Sequence, residues 1–138
     1  WKDGQGDIRR LQMLRARVGT RLHWIGGAGD DMVPAYYSTG IRAFTSSVAN
    51  IDAAMARELL DTASTGNSER LQALMSSHIV PLYALRAKRK GYEVSVMKAL
   101  MDLLGLAGGP VRPPLANLTP DEVDALKKSV WLTAPGRS

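Results

Sequence analysis

The residues best suited to chemistry come first: Trp1-Lys2-Asp3-Gly4-Gln5-Gly6-Asp7. Lys2 follows what reads as the last residue of a strand. Two glycines and two aspartates come next, and then an amphipathic pattern begins. A lysine at the C-terminal end of a barrel strand, walled by apolar groups, loses its proton and attacks ketone carbons to form a Schiff base. The plainer alternative is a loop lysine beside a Gly/Asp turn. Two further strand ends are small or polar. Leu22-His23-Trp24-Ile25 is a mostly apolar run that stops at Gly26-Gly27. Paired glycines let a ligand approach the backbone closely, or simply make a tight turn. Ile41 to Ser47 is a second strand whose end, Thr45-Ser46-Ser47, is hydroxylated.

These strand ends need elements to position them. Asp7 can cap a helix, and Ile8, Leu11, Leu14 and Val18 share one face of it. Arg15 falls on the margin of that face and is expected to snorkel. Asp30-Asp31 is expected to cap the helix that follows, with a polyol-facing role as the alternative. Another helix starts at Asn50 or Asp52. The pattern predicts helices over 7–18, 30–39, 50–64, 68–88, 93–104 and 120–131, and short parallel strands over 22–26 and 42–46. Pro81 is expected to kink or break the fourth helix. Thr119-Pro120-Asp121-Glu122 is a strong helix start. Gly108 to Leu115 is expected to be extended and packed, and the tail Thr133 to Ser138 frayed. Strands alternating with helices mean βα units and a parallel sheet. In a (β/α) barrel the strand C-termini make the active-site face.

Composition narrows the function classes. The chain has 138 residues, 45% apolar and 22% charged, which suits a soluble globular domain. It has no cysteine, which rules out disulfides and Cys-ligated metals. His23 and His78 lie far apart without ligand spacing, so no metal site is expected. Both are expected to be packed, His23 alternatively at a sheet edge. No apolar run approaches the ~20 residues that span a bilayer, and no signal-peptide pattern is visible. The net charge is +5, but the basic residues are scattered. The densest group, Arg86-Ala87-Lys88-Arg89-Lys90, lacks aromatic interleaving and reads as a solvated helix end. A non-enzymatic basic binding module is the rival of a different class; it predicts salt-dependent nucleic-acid affinity. The absence of an initial methionine, within a motif, points to a fragment.

Trp1-Lys2-Asp3-Gly4, Gly26-Gly27, Thr45-Ser46-Ser47-Val48-Ala49-Asn50, Lys90-Gly91-Tyr92 and Gly109-Pro110-Val111-Arg112-Pro113-Pro114-Leu115 occur in this order. Together they resemble the C-terminal half of the dihydrodipicolinate synthase and N-acetylneuraminate lyase superfamily, with the closest likeness to its 5-dehydro-4-deoxyglucarate dehydratases. The likeness covers nearly the whole chain. Its specific parts are the lysine motif and the Gly-Pro-Val-Arg-Pro-Pro-Leu segment. Ala28-Gly29-Asp30-Asp31 departs from the Leu-Pro-Thr pattern of the dehydratases, which leaves a sister lyase or aldolase acting on a 2-keto acid as an alternative.

The resemblance implies an α/β fold, the C-terminal part of a (β/α)8 TIM barrel followed by a helical extension. Residues 1–64 would hold the end of strand six, strands seven and eight and their helices; 65–138 would be the extension. The carboxylate-gripping threonines and the proton-relaying tyrosine of the family would lie in the missing half, without which the fragment is expected to be inactive. Lys2 would form the imine. Gly27 would hold the substrate through its backbone and Ser46 through its hydroxyl, unless that hydroxyl bonds to its own turn. Ser47 would face the opposite side by strand alternation and ranks lower. The implied substrate is a keto sugar acid. No metal or organic cofactor is implied, nor any nucleic-acid or membrane partner. A cytoplasmic homo-oligomer, a tetramer by resemblance, is expected.

Overall fold

Strands β1 (Lys2–Asp3) and β2 (Ile25–Gly26) pair in parallel, Lys2 beside Ile25 and Asp3 beside Gly26, in a computed structural model that describes residues 1–133. Phe44 adds a third parallel segment through a bridge to Gly26. The ladder runs slightly past the named strands. The Ile25 N–H donates to the Trp1 carbonyl at 2.8 Å, Gly26 to Ala43 at 2.8 Å, and Thr45 to Gly26 at 2.9 Å. The parallel sense agrees with the expectation for 22–26 and 42–46. The strands are shorter than expected: two residues in β2 and a single bridge at Phe44.

The chain divides into two compact units, Trp1–Ala73 and a second from Leu74 onward. In the first, helix α1 (Ile8–Val18) is capped by Asp7, whose carboxylate accepts from the Arg10 N–H at 3.0 Å. Leu11 faces inward, with Ile8, Leu14 and Val18 half-buried on the same face by helical spacing, while Met13 lies off that face and is exposed. Leu11 joins Tyr36 and Ile41 in a buried cluster, with Ile8, Trp24, Ala28 and Met32 packed against it. Arg15 does not snorkel. Its guanidinium donates to the Thr39 carbonyl and lies 5.9 Å from the centre of the Trp24 ring. Thr39 is the last residue of the turn that ends helix α2 (Val33–Ser38), so Arg15 satisfies a helix-end carbonyl. A 3-10 turn at Asp30–Met32 precedes α2, and another at Val48–Asn50 precedes helix α3 (Ala53–Thr65). Asp52 caps α3 by accepting from Met55 N–H at 2.9 Å. Helix α4 (Ser68–Leu74) follows.

The predicted helix 68–88 is interrupted. After α4 comes a π-helical turn, Met75–Ile79, and then helix α5 (Val80–Arg86). Pro81 has no N–H to donate into an α-helical ladder, and a widened turn just before it absorbs the mismatch. In the second unit Leu82, Val96, Met97, Leu100, Leu126 and Trp131 are buried. They come from α5, helix α6 (Tyr92–Leu103), helix α7 (Pro120–Lys127) and helix α8 (Val130–Thr133). The His78 ring meets Trp131 edge-on, centroids 5.6 Å apart, so it is packed as expected; His23 is exposed. Arg86 corrects the reading of a solvated helix end, because it is buried and stacks 4.2 Å from the centre of the Tyr83 ring.

The Gly/Pro-rich crossing is pinned at both ends. Asp102 Oδ1 accepts from the Gly108 and Gly109 N–H groups at 2.9 Å each, and Lys98 donates to the Gly108 carbonyl. Further along, Val111 is buried and its N–H donates to Asn117 Oδ1 at 2.9 Å. The segment is anchored through Val111 while Gly109, Pro110 and Arg112 to Pro114 are exposed, and it is extended only in part, because Leu115 N–H turns back to the Arg112 carbonyl. Of the tail expected to fray, Thr133 closes α8, and 134–138 lie outside the described residues.

Candidate active site

Three parallel segments end side by side, at Asp3, Gly26 and Phe44, and Gly27 and Thr45 follow directly. Alternation along β1 leaves Lys2 exposed and turns Asp3 inward. The register places Gly27 two residues past the partner of Lys2, on the same face of the sheet. The lysine stem lies directly over it. A β-carbon built on Gly27 would come within 2.5 Å of Lys2 Cε, 2.6 Å of Lys2 Cγ and 2.7 Å of the Asp3 carbonyl oxygen. Gly27 therefore owes its identity to the lysine and not to a turn conformation. Lys2 and Gly27, two of the predicted site residues, are brought together.

Gly26 has a different occupant. A β-carbon there would sit 2.6 Å from Tyr36 Cε2 and closer still to Cδ2. Tyr36 is fully buried. Its hydroxyl donates to Asp3 Oδ2 at 2.9 Å and accepts from the Ala28 N–H at 3.1 Å. Asp3, 6% exposed, also accepts from the Gln5 N–H at 3.1 Å and the Gly6 N–H at 3.2 Å. Burial raises the Tyr36 phenol above its ordinary range. The Ala28 N–H pulls the other way and the Asp3 carboxylate adds to the rise. Tyr36 thus stays a neutral donor at physiological pH. Sequence reasoning placed Asp3 only in the Gly/Asp turn after the lysine and gave Tyr36 no role. The signal available was the Tyr36-Tyr37 pair in the helix that follows the Gly-Gly strand end.

Ser46 and Ser47 are committed elsewhere. The Ser46 hydroxyl donates to Asp30 Oδ1 and accepts from the Ala49 N–H at 3.1 Å. The Ser47 hydroxyl donates to Asp30 Oδ2 at 2.8 Å, and the Ser47 and Val48 N–H groups donate to the same oxygen at 3.0 and 3.3 Å. The expected opposition of Ser46 and Ser47 does not hold. Ser47 has helical dihedrals, φ −82° and ψ −30°, so strand alternation has already stopped. Asp30, fully buried, also departs from its expected role. The cap positions of the turn and the helix that follow are held by Gly29 and Met32. Instead Asp30 caps the Val48–Asn50 turn across the chain, gathering four donors on one carboxylate. Among the described residues no group of three or more His, Asp or Glu is placed to hold a metal ion.

The dihydrodipicolinate synthetase family pattern matches residues 1–132. The chain belongs to that family. A probable 5-dehydro-4-deoxyglucarate dehydratase from Rhizobium rhizogenes is 35% identical over 132 residues, 94% of this chain and 44% of the relative. The crystal structure of dihydrodipicolinate synthase from Oceanobacillus iheyensis superimposes with a TM-score of 0.76 at 30% identity, covering 88% of this chain and 42% of the other. A Proteus mirabilis N-acetylneuraminate lyase matches in fold, with a TM-score of 0.78 at 20% identity over 99% of this chain and 44% of the other. The chain therefore spans less than half the length of these relatives. Within the dihydrodipicolinate synthetase family, this member carries a lysine at a strand end with its stem on a glycine. The Lys2 side chain is exposed. No described helix is long and apolar enough to cross a membrane.

Proposed function

We propose that this chain is the C-terminal part of a (β/α)8 lyase in which Lys2 is the Schiff-base nucleophile. Residues 1–64 would supply the end of strand six, strands seven and eight and their helices, and residues 65–138 a helical extension. The remaining strands would come from preceding chain, in a cytoplasmic homo-oligomer. The observation that carries the reading is the Lys2 stem laid across Gly27 at the ends of adjacent parallel strands, in a chain of this family.

The substrate favoured by the similarity to 5-dehydro-4-deoxyglucarate dehydratases is 5-dehydro-4-deoxyglucarate itself. The Lys2 amine adds to the ketone beside a carboxylate, and water leaves to give a protonated imine. The imine acidifies the adjacent methylene. Loss of a proton there gives an enamine, which expels the hydroxyl on the next carbon as water. The conjugated imine accepts the electron pair released when the far carboxylate departs as carbon dioxide, and a proton is taken up in its place. Hydrolysis then restores Lys2 and frees 2,5-dioxopentanoate. Overall one substrate yields one product, one water and one carbon dioxide. Gly27 gives the substrate close access to backbone. Ser46 directs its proton to Asp30, so its part is to hold the loop rim and offer oxygen as an acceptor, with Ser47 setting the rim's shape.

A second reading has its own support. Ala28-Gly29-Asp30-Asp31 departs from the Leu-Pro-Thr pattern of the dehydratases, which favours a sister lyase or aldolase with the same lysine. Product analysis separates the two. The full-length protein given 5-dehydro-4-deoxyglucarate should release equimolar carbon dioxide and 2,5-dioxopentanoate. Aldol cleavage of a 2-keto acid without carbon dioxide would assign it to the sister class.

A further inference from the structure

The site holds a second layer that the lysine chemistry does not itself use. We propose that Asp3 and Tyr36 are positioning residues that fix Lys2 against Gly27, an inference that rests on Lys2 being the Schiff-base residue. The strand ladder alone is too short to do this. β1 and β2 share only two residue pairs, and the paired register stops at Asp3 and Gly26, one residue short of Gly27.

What crosses the gap instead is a hydrogen-bonded strut. The Ala28 N–H, just past Gly27, donates to the Tyr36 hydroxyl, which donates to Asp3 Oδ2, just past Lys2. The same carboxylate closes the turn after the lysine by accepting from Gln5 and Gly6 N–H groups. Gly6, at φ +72°, takes a backbone form that side chains resist, and a β-carbon on it would meet Ala28 Cβ at 3.2 Å. The two turns are therefore packed as well as bonded together. Below them the Tyr36 ring is seated on bare Gly26, which fixes the height of its hydroxyl. Above them the lysine stem crosses Gly27. One side chain on each face thus specifies each glycine of the pair, and the strut sets the spacing between the strand ends that the lysine spans.

The Tyr36→Phe variant isolates the strut. The ring still fills its seat on Gly26, and only the hydroxyl is lost. Asp3 keeps two donors, while Ala28 N–H loses its partner and the turns are free to separate. Tyr37→Phe is the control. It removes a hydroxyl from the same helix, one that contacts Ser64 Oγ at 3.1 Å and the Arg42 carbonyl at 3.2 Å, away from both turns. In the full-length protein with 5-dehydro-4-deoxyglucarate, Tyr36→Phe should lower kcat and the single-turnover rate of borohydride-trapped imine by about ten- to a hundredfold, since small misplacements of a reacting group cost that much. KM should change less than about threefold, and the acidic and basic limbs of the pH–rate profile should not move. Tyr37→Phe should trap at the wild-type rate.

Equal slowing in both variants would mean general destabilisation and would overturn the proposal. So would wild-type trapping in Tyr36→Phe, or a loss expressed wholly in KM. If the wild-type protein itself is not trapped on Lys2, the proposed function falls and takes this inference with it. Trapping of wild type on Lys2 with an unaffected Tyr36→Phe rate removes this inference alone.

Discussion

Gly26 and Gly27 stand next to each other yet have unlike reasons to be glycine, and substitution should separate them. An alanine at 26 drives its methyl into the Tyr36 ring, which is buried in the core and has nowhere to go. An alanine at 27 meets the flexible Lys2 stem and the unyielding Asp3 carbonyl. Gly26→Ala should therefore lower stability by about 1–3 kcal/mol, as overpacking does. Gly27→Ala should lose imine formation for a smaller change in stability. Denaturant unfolding and borohydride trapping, run on both variants, check this. Asp30 makes a third residue-scale case. Its carboxylate is fully buried and accepts from the Ser46 and Ser47 hydroxyls and the Ser47 and Val48 N–H groups. Asp30→Ala strands those donors and should destabilise by about 3 kcal/mol, measured as a shifted denaturant midpoint. At this scale the sequence was legible where backbone pattern decides. The Lys2–Gly27 pairing follows from strand ends in parallel register. The Asp30 hub was not, because a carboxylate 16 residues before its serine partner leaves no local pattern.

At the scale of elements, α7 shows a start written fully in the sequence. Thr119 accepts from the Glu122 N–H at 3.3 Å, and Glu122 Oε2 accepts from the Thr119 N–H at 2.9 Å, completing the capping box. Thr119→Ala should cost about 1 kcal/mol. Glu122 also accepts from the Tyr92 hydroxyl at 2.7 Å. The Thr119 N–H first, and Tyr92 next, hold its carboxyl below the ordinary glutamate range. The sign follows from that depression. The stabilisation is complete above the unfolded value of about 4.3 and is lost as pH falls through the lower folded value. Unfolding followed from pH 7 to pH 3 should show wild type losing stability in the acid range, with a shallower fall in Glu122→Gln. Equal slopes would remove Glu122 from the account. Helix existence was readable from apolar spacing throughout, and α1, α3, α6 and α7 lie within a few residues of expectation. What could not be read was the manner of interruption. Pro81 announced a disturbance, but only packing decides whether the chain kinks or widens into the Met75–Ile79 turn. Strand length was overestimated for a related reason. Leu22 to Ile25 has strand composition, yet the ladder needs a neighbour at each position, and β1 offers two.

For the whole molecule the question is what Lys2 does. The family was legible because its motifs are chemical: a lysine at a strand end, glycines where side chains would collide, and a Gly-Pro-Val-Arg-Pro-Pro-Leu crossing held by Asp102, Lys98 and Asn117. Substrate identity was less legible, since it depends on groups beyond the three strand ends present here. The most direct measurement is reductive trapping of the full-length protein with 5-dehydro-4-deoxyglucarate and borohydride, followed by peptide mapping. The reduced adduct should lie on Lys2, at one per site, and Lys2→Ala should abolish both adduct and turnover. An adduct on Lys90 or Lys98 instead, or near-normal turnover in Lys2→Ala, would contradict the account.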